Sequence, residues 1–258
     1  LTPPSAPSAA PSSTRGLTLL LLLADGRLPA GGHAHSGGIE AAVAAGLVRG
    51  VADLESYLEG RLATTGRVDA AVAVASWRSS ASHSCPRDVA VASWPSSASL
   101  ARLQEIDAEA SARMASPAQR AASRAQGRGL RRIARRCWPA AALDGLDSVH
   151  PDGPLVAMVL GVAGATGGLD ALEVATAALW SVQSGPAWAA VRLLGLDPLE
   201  VTATLARRAS DVDELARATA GDWGSGDRSL EDLPAAGAPL AEIGAEAHAA
   251  WEVRLFAS

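Results

Sequence analysis

From Leu155 to Leu196 the chain is predominantly apolar, broken only near Ser184-Gly-Pro186. A stretch of this kind has to be buried, either as strands or as helices. Period-two alternation set between hairpin turns occurs neither here nor elsewhere in the chain. Hydrophobic residues make up 48% of the sequence and aromatics only 3%, with alanine supplying much of the apolar content. That balance favours helix over sheet. The stretch reads as two or three buried helices, and the chain as all-α, a single-domain bundle of about ten helices.

The 258 residues suffice for a sizeable core. Leu1 to Ser13 is Pro/Ala/Ser-rich, and residues 1–15 form a leader outside a helical domain spanning 16–258. Arg15 and the run Leu17 to Ala24 outline a signal peptide, but Asp25-Gly-Arg27 follows directly with no small-residue cleavage pattern. The run suits a short buried helix and is too short to span a bilayer. Helices follow from Ser36, as N-cap, to Val48, from Asp53 through Leu62, and from Val68 to Trp77, with Gly66 between the last two. Val72-Ala-Val-Ala-Ser-Trp77 recurs as Val89-Ala-Val-Ala-Ser-Trp94, so 72–99 reads as a local duplication or insertion. Ser116-Pro117 is a helix start, with Ser as cap and Pro at the first position. The helix from Ala118 to Trp138 carries seven arginines from Arg120 to Arg136, which form either a solvated face or a docking surface for an acidic partner. Residues 221–239 read as a flexible connector before a last helix, Leu240 to Val253.

Several classes of function are excluded. Net charge is −5, which argues against nucleic acid as the main partner. The sequence contains no lysine, so it cannot carry a P-loop lysine, and no G-x-S-x-G elbow or H-E-x-x-H pair is present. Cys85 and Cys137 are too few for a disulfide framework and suit a reducing cytoplasm. Two candidates remain. His33 and His35, among glycines, are either ligands for nickel or zinc or parts of a tight loop leading into a helix. The cluster Gly161 to Gly168 imitates a dinucleotide-binding turn and would mark an NAD(P)-dependent oxidoreductase. Against this, no βαβ alternation follows and no acidic residue falls where a second strand should end. Close helix packing is the competing explanation.

Five segments, in order, resemble one family. Leu28-Pro-Ala-Gly-Gly-His-Ala-His-Ser-Gly-Gly-Ile-Glu40, behind a short leucine helix, resembles the opening of urease accessory protein F. Ala121-Ala-Ser-Arg-Ala-Gln-Gly-Arg-Gly-Leu130 is similar to its central S-R-x-Q-G-R element. His150 before Pro154-Leu-Val, with Gly161 and Gly167-Gly-Leu169, resembles its next helix. Ala189 to Pro198 is similar to a later helix end, and His248 to Ser258 to the family's C-terminus.

The resemblance implies an all-α homodimer without catalytic activity. Such a protein bridges urease accessory protein D (also called H) and the GTPase accessory protein G during GTP-dependent delivery of nickel to apo-urease. It has no cofactor of its own, since nickel and GTP are handled by the partners, and it acts in the cytoplasm away from membranes. By the same resemblance, Trp251, Arg254, Leu255, Phe256 and Ser258 dock on the D partner, an exposed Leu-Phe tail after an amphipathic helix being a plausible anchor. His35, Ser36, Glu40, Arg124, Gln126 and Arg128 belong to a subunit-facing or GTPase-facing surface.

Overall fold

The computed structural model describes residues 14–30, 32–81 and 97–256. The leader as far as Ser13, the second Val-Ala-Val-Ala-Ser-Trp copy, Ser258 and the His33 ring lie outside the described residues. Among the described residues there are twelve α-helices and no strand: α1 (Thr14–Ala24), α2 (Ile39–Ala44), α3 (Val51–Arg61), α4 (Arg67–Ala81), α5 (Ser97–Ala112), α6 (Pro117–Cys137), α7 (Ala141–Gly145), α8 (Val156–Gly167), α9 (Ala171–Leu194), α10 (Pro198–Arg207), α11 (Ala209–Gly224) and α12 (Pro239–Ala249). The all-α reading is correct. No helix among these residues is long and apolar enough to cross a membrane.

Helix α8 is apolar on every side and sits at the centre, with Ala157 to Ala165 buried throughout. Helix α4 lies across it, burying Ala70 to Ala75. A Cβ on Gly161 would collide with the carbonyl oxygen of Ala73. The glycine cluster therefore lets two backbones touch, and no strand precedes it. This corrects the dinucleotide-binding reading, because these glycines serve helix packing. The first Val72 to Trp77 copy is part of the same contact, and the Trp77 indole N–H donates to Leu169 O at 2.7 Å.

Two expected breaks are absent. Gly66 does not separate two helices; Leu62–Gly66 forms a π-helical turn that joins α3 to α4 without interruption. Nor does Ser184-Gly-Pro186 end a helix, since α9 runs through it for 24 residues, about 36 Å at 1.5 Å per residue. Pro186 removes one backbone hydrogen bond, but its ring is buried against Gly37, and this tertiary contact holds the helix through the defect. A capping box starts α9, with Glu173 N donating to Asp170 Oδ1 at 2.8 Å and Asp170 N to Glu173 Oε2 at 2.9 Å. Its first half joins the main core around α4 and α8. Its second half joins, through Ala187, Ala189 and Ala190, a smaller core with Ile39, Leu54, Leu58, Val201 and Phe256.

Replacing Gly161 with Ala should destabilise the protein by about 3 kcal/mol through backbone overpacking. Gly60→Ala, at a helical glycine with open space around it, should stabilise it by about 0.5–1 kcal/mol. Urea midpoints at unchanged slope measure both effects.

Candidate functional site where the motifs converge

The loop between α1 and α2 is built on glycine. Gly37 and Gly38 take φ of 62° and 88°, a left-handed conformation that side chains resist. The Gly37 carbonyl accepts from the Tyr57 hydroxyl at 2.9 Å and from Arg61 Nη1 at 2.6 Å. Ser36 is buried two residues ahead of the cap position, held by Gly38. Its hydroxyl accepts the amides of Gly38 at 3.3 Å and Glu40 at 3.4 Å. The chain thus enters α2 already turned, with Glu40 pointing inward.

Glu40 is the knot of the site. It is buried, and its carboxylate meets His248 Nε2 at 2.8 Å and accepts the amides of Leu255 at 2.8 Å and Phe256 at 3.0 Å. Burial is the largest single influence on this carboxyl and would raise it. The Leu255 amide, His248 and the Phe256 amide together outweigh burial and hold it below its ordinary value. A second carboxylate, Glu246 on α12, accepts from the Ser116 hydroxyl at 2.5 Å and the Ala118 amide at 2.8 Å, at the start of α6. The first motif, the arginine helix and the C-terminus are therefore joined by hydrogen bonds between segments far apart in sequence.

The arginine helix contributes through its glycines as well. A Cβ on Gly129 would strike the carbonyl oxygen of Ala30, and one on Gly127 that of Pro154. The central element thus packs directly on the first motif. Arg124 is buried rather than on a docking face. It pairs bidentately with Asp107 at 2.8 and 3.0 Å and donates further to Gly153 O at 2.6 Å and Ser111 Oγ at 2.9 Å. Sequence spacing missed this because Asp107 comes from another helix, α5. Arg128 is exposed, with its guanidinium donating to Asp152 O.

The expected Leu-Phe tail divides. Leu255 is 64% exposed, whereas Phe256 is 4% exposed in the smaller core with the Arg192 guanidinium 4.5 Å above its ring. The exposed pair expected from sequence is corrected by this burial: Phe256 anchors the tail to its own chain. Trp251 is half-buried, its ring 4.7 Å from that of His248, and Arg254 is exposed.

These segments frame a groove of about 750 Å³ between the α1–α2 loop, α6, α9 and α12, to which His35 and Gln126 contribute. Among the described residues no group of three or more His, Cys, Asp or Glu side chains could hold a metal ion.

A UreF family model matches residues 48–209. The chain belongs to the UreF family. The UreF urease accessory protein of Mycolicibacterium vanbaalenii is 41% identical over 94% of this chain and 99% of its own length. Those of Mycobacterium marinum and Mycobacterium bovis are 40% identical, the former over 94% of this chain and 99% of its own, the latter over 84% and 92%. The UreF match covers most of the main core and the arginine helix, while Glu40 and the C-terminal segment it holds lie outside the residues matched by the family model.

Glu40→Gln keeps the shape but cannot accept as before from all three donors, and should cost about 1.5–3 kcal/mol and free the tail to carboxypeptidase. Because the Glu40 carboxyl is lowered on folding, its contribution is present above the ordinary glutamate value of 4.5 and lost as pH falls through the lowered folded value. Amide exchange at Phe256 followed through acid reads this. Arg124→Ala strands buried Asp107 and should destabilise by about 3–5 kcal/mol, seen as a lower urea midpoint.

Proposed function

We propose that this UreF-family chain is a non-catalytic co-chaperone of urease maturation, bridging accessory proteins D (or H) and G. In this role nickel passes to apo-urease in a GTP-dependent step, with both nickel and GTP handled by the partners. The chain works in the cytoplasm as a homodimer and modulates the GTPase. The family supports the urease connection, and the relatives carry the name of accessory proteins.

One observation carries the docking assignment. Helix α12 buries only His248, while its larger apolar residues, Leu240 and Ile243, face solvent. Val253 and Leu255 continue this exposed apolar line along the tail. A helix whose larger hydrophobics point away from its own core presents them to a partner. Glu40 and Phe256 hold the tail in place, so Leu255, Arg254 and Trp251 are displayed on a fixed frame. In the same reading, His35, Gln126 and Arg128 contribute a second surface toward the GTPase side. Ser36, Glu40 and Arg124 position that surface from beneath.

The test is co-purification with accessory proteins D and G. The unaltered chain should retain both, and failure of both pairings overturns the proposal. Exchanging Leu240, Ile243 and Leu255 together for Asp should cut retention of D at least tenfold with an unchanged helical spectrum. Undiminished retention would overturn the assignment of this face.

A further inference from the structure

The loop that carries His35 enters α2 through Gly37 and Gly38, and neither has a side chain to pin the backbone. Gly37 meets the rest of the fold in two ways. The Pro186 ring lies where a Cβ on Gly37 would come within 2.9 Å. The Gly37 carbonyl accepts two donors one helical turn apart on α3, the Tyr57 hydroxyl and Arg61 Nη1. A carbonyl oxygen has two lone pairs, so both are in use.

The arginine is the more informative of the two. Buried donors are nearly always answered by an acceptor. Arg61 gives Nη1 to a neutral backbone oxygen at 2.6 Å, while its buried Nε has no partner among the described residues. The guanidinium is therefore oriented for Gly37 even though this leaves one of its donors unanswered. Burial pushes the Tyr57 hydroxyl above its ordinary value, so it stays a donor at neutral pH. The π-helical turn Leu62–Gly66 begins directly after Arg61. Such turns recur at functional sites. This one separates the part of the continuous helix that grips the loop from α4, which packs across α8.

We infer that Tyr57 and Arg61 are positioning residues for the surface that receives accessory protein G. By holding the Gly37 carbonyl they fix His35, two residues earlier in the chain, at the edge of the groove. Loops that carry contacts depend on rigid elements to place them, and α3 is that element here. The inference rests on the assignment of His35 to the GTPase side, and it adds two residues outside the sequence motifs.

The experiment uses the full chain with accessory proteins D and G. Tyr57→Phe deletes the hydroxyl alone and is the main variant, because Arg61 also supplies the charge that opposes desolvation of the Asp69 carboxyl. Retention of G should fall about fivefold, the worth of one hydrogen bond, with D retained as before. Adding Arg61→Lys, which keeps the charge but removes the guanidinium, should lower it further. The control is Trp77→Phe, which deletes a comparable bond to Leu169 O in the main core. It should lower the thermal midpoint and leave G retention unchanged. Unchanged G retention in both Tyr57 variants, a parallel loss of D and G, or an equal loss in Trp77→Phe overturns the inference. Amide exchange over residues 35–38 should quicken about fivefold in Tyr57→Phe, and unaltered exchange would also overturn it. If the unaltered chain does not retain G, the GTPase-side assignment falls, and the exchange measurement still decides whether this pair holds the loop.

Discussion

Helices built largely from alanine bury little area per residue, so they gain stability only by coming close together. The contact of α4 with α8 meets this condition, with Gly161 set against the Ala73 carbonyl and a row of alanines on either side. Dispersion falls steeply with separation, so a separation wider by one methyl group would forfeit much of the attraction. The rest of the fold is arranged around this crossing. Helix α9 extends from it into the smaller core, and α6 reaches the first motif by the same means, through Gly127 and Gly129.

The C-terminal end of the molecule is organised differently, by carboxylates. Glu40 gathers a side chain and two amides from the C-terminus, and Glu246 ties α12 to the start of α6. Both carboxyls are held below their ordinary values, for Glu246 chiefly by the Ser116 hydroxyl. Hydrogen bonds to charged acceptors are directional and comparatively strong, so they set the position of a thin terminal segment that apolar packing alone would leave loosely specified.

Much of this was legible in the sequence where the cause is local. Ser116 and Pro117 start α6, with the Ser116 hydroxyl accepting from Gln119 N at 3.1 Å. The helical class followed from composition and period. What escaped depends on partners remote in the chain. Pro186 is a breaker by local rules and survives because Gly37 receives its ring, while Gly66 is absorbed into a π-turn. Arg124 carried the charge of a surface residue, and only Asp107 on another helix makes it internal. Phe256 looked exposed because nothing near it in sequence reveals the smaller core. Glu40 did leave a trace, being a lone acid in an apolar helical run, and such a residue needs an account of where its charge goes.

The sparse burial of α12 bears on how the molecule opens. Regions with few buried apolar contacts detach at a fraction of the global unfolding free energy. Helix α12 buries a single side chain and is fastened by polar contacts at defined points. Its departure would solvate charged groups that water accepts readily, while the crossing of α4 and α8 stays dry. The C-terminal segment is thus a separate cooperative unit on a rigid body. A partner could reorder it without drawing on the stability of the bundle itself.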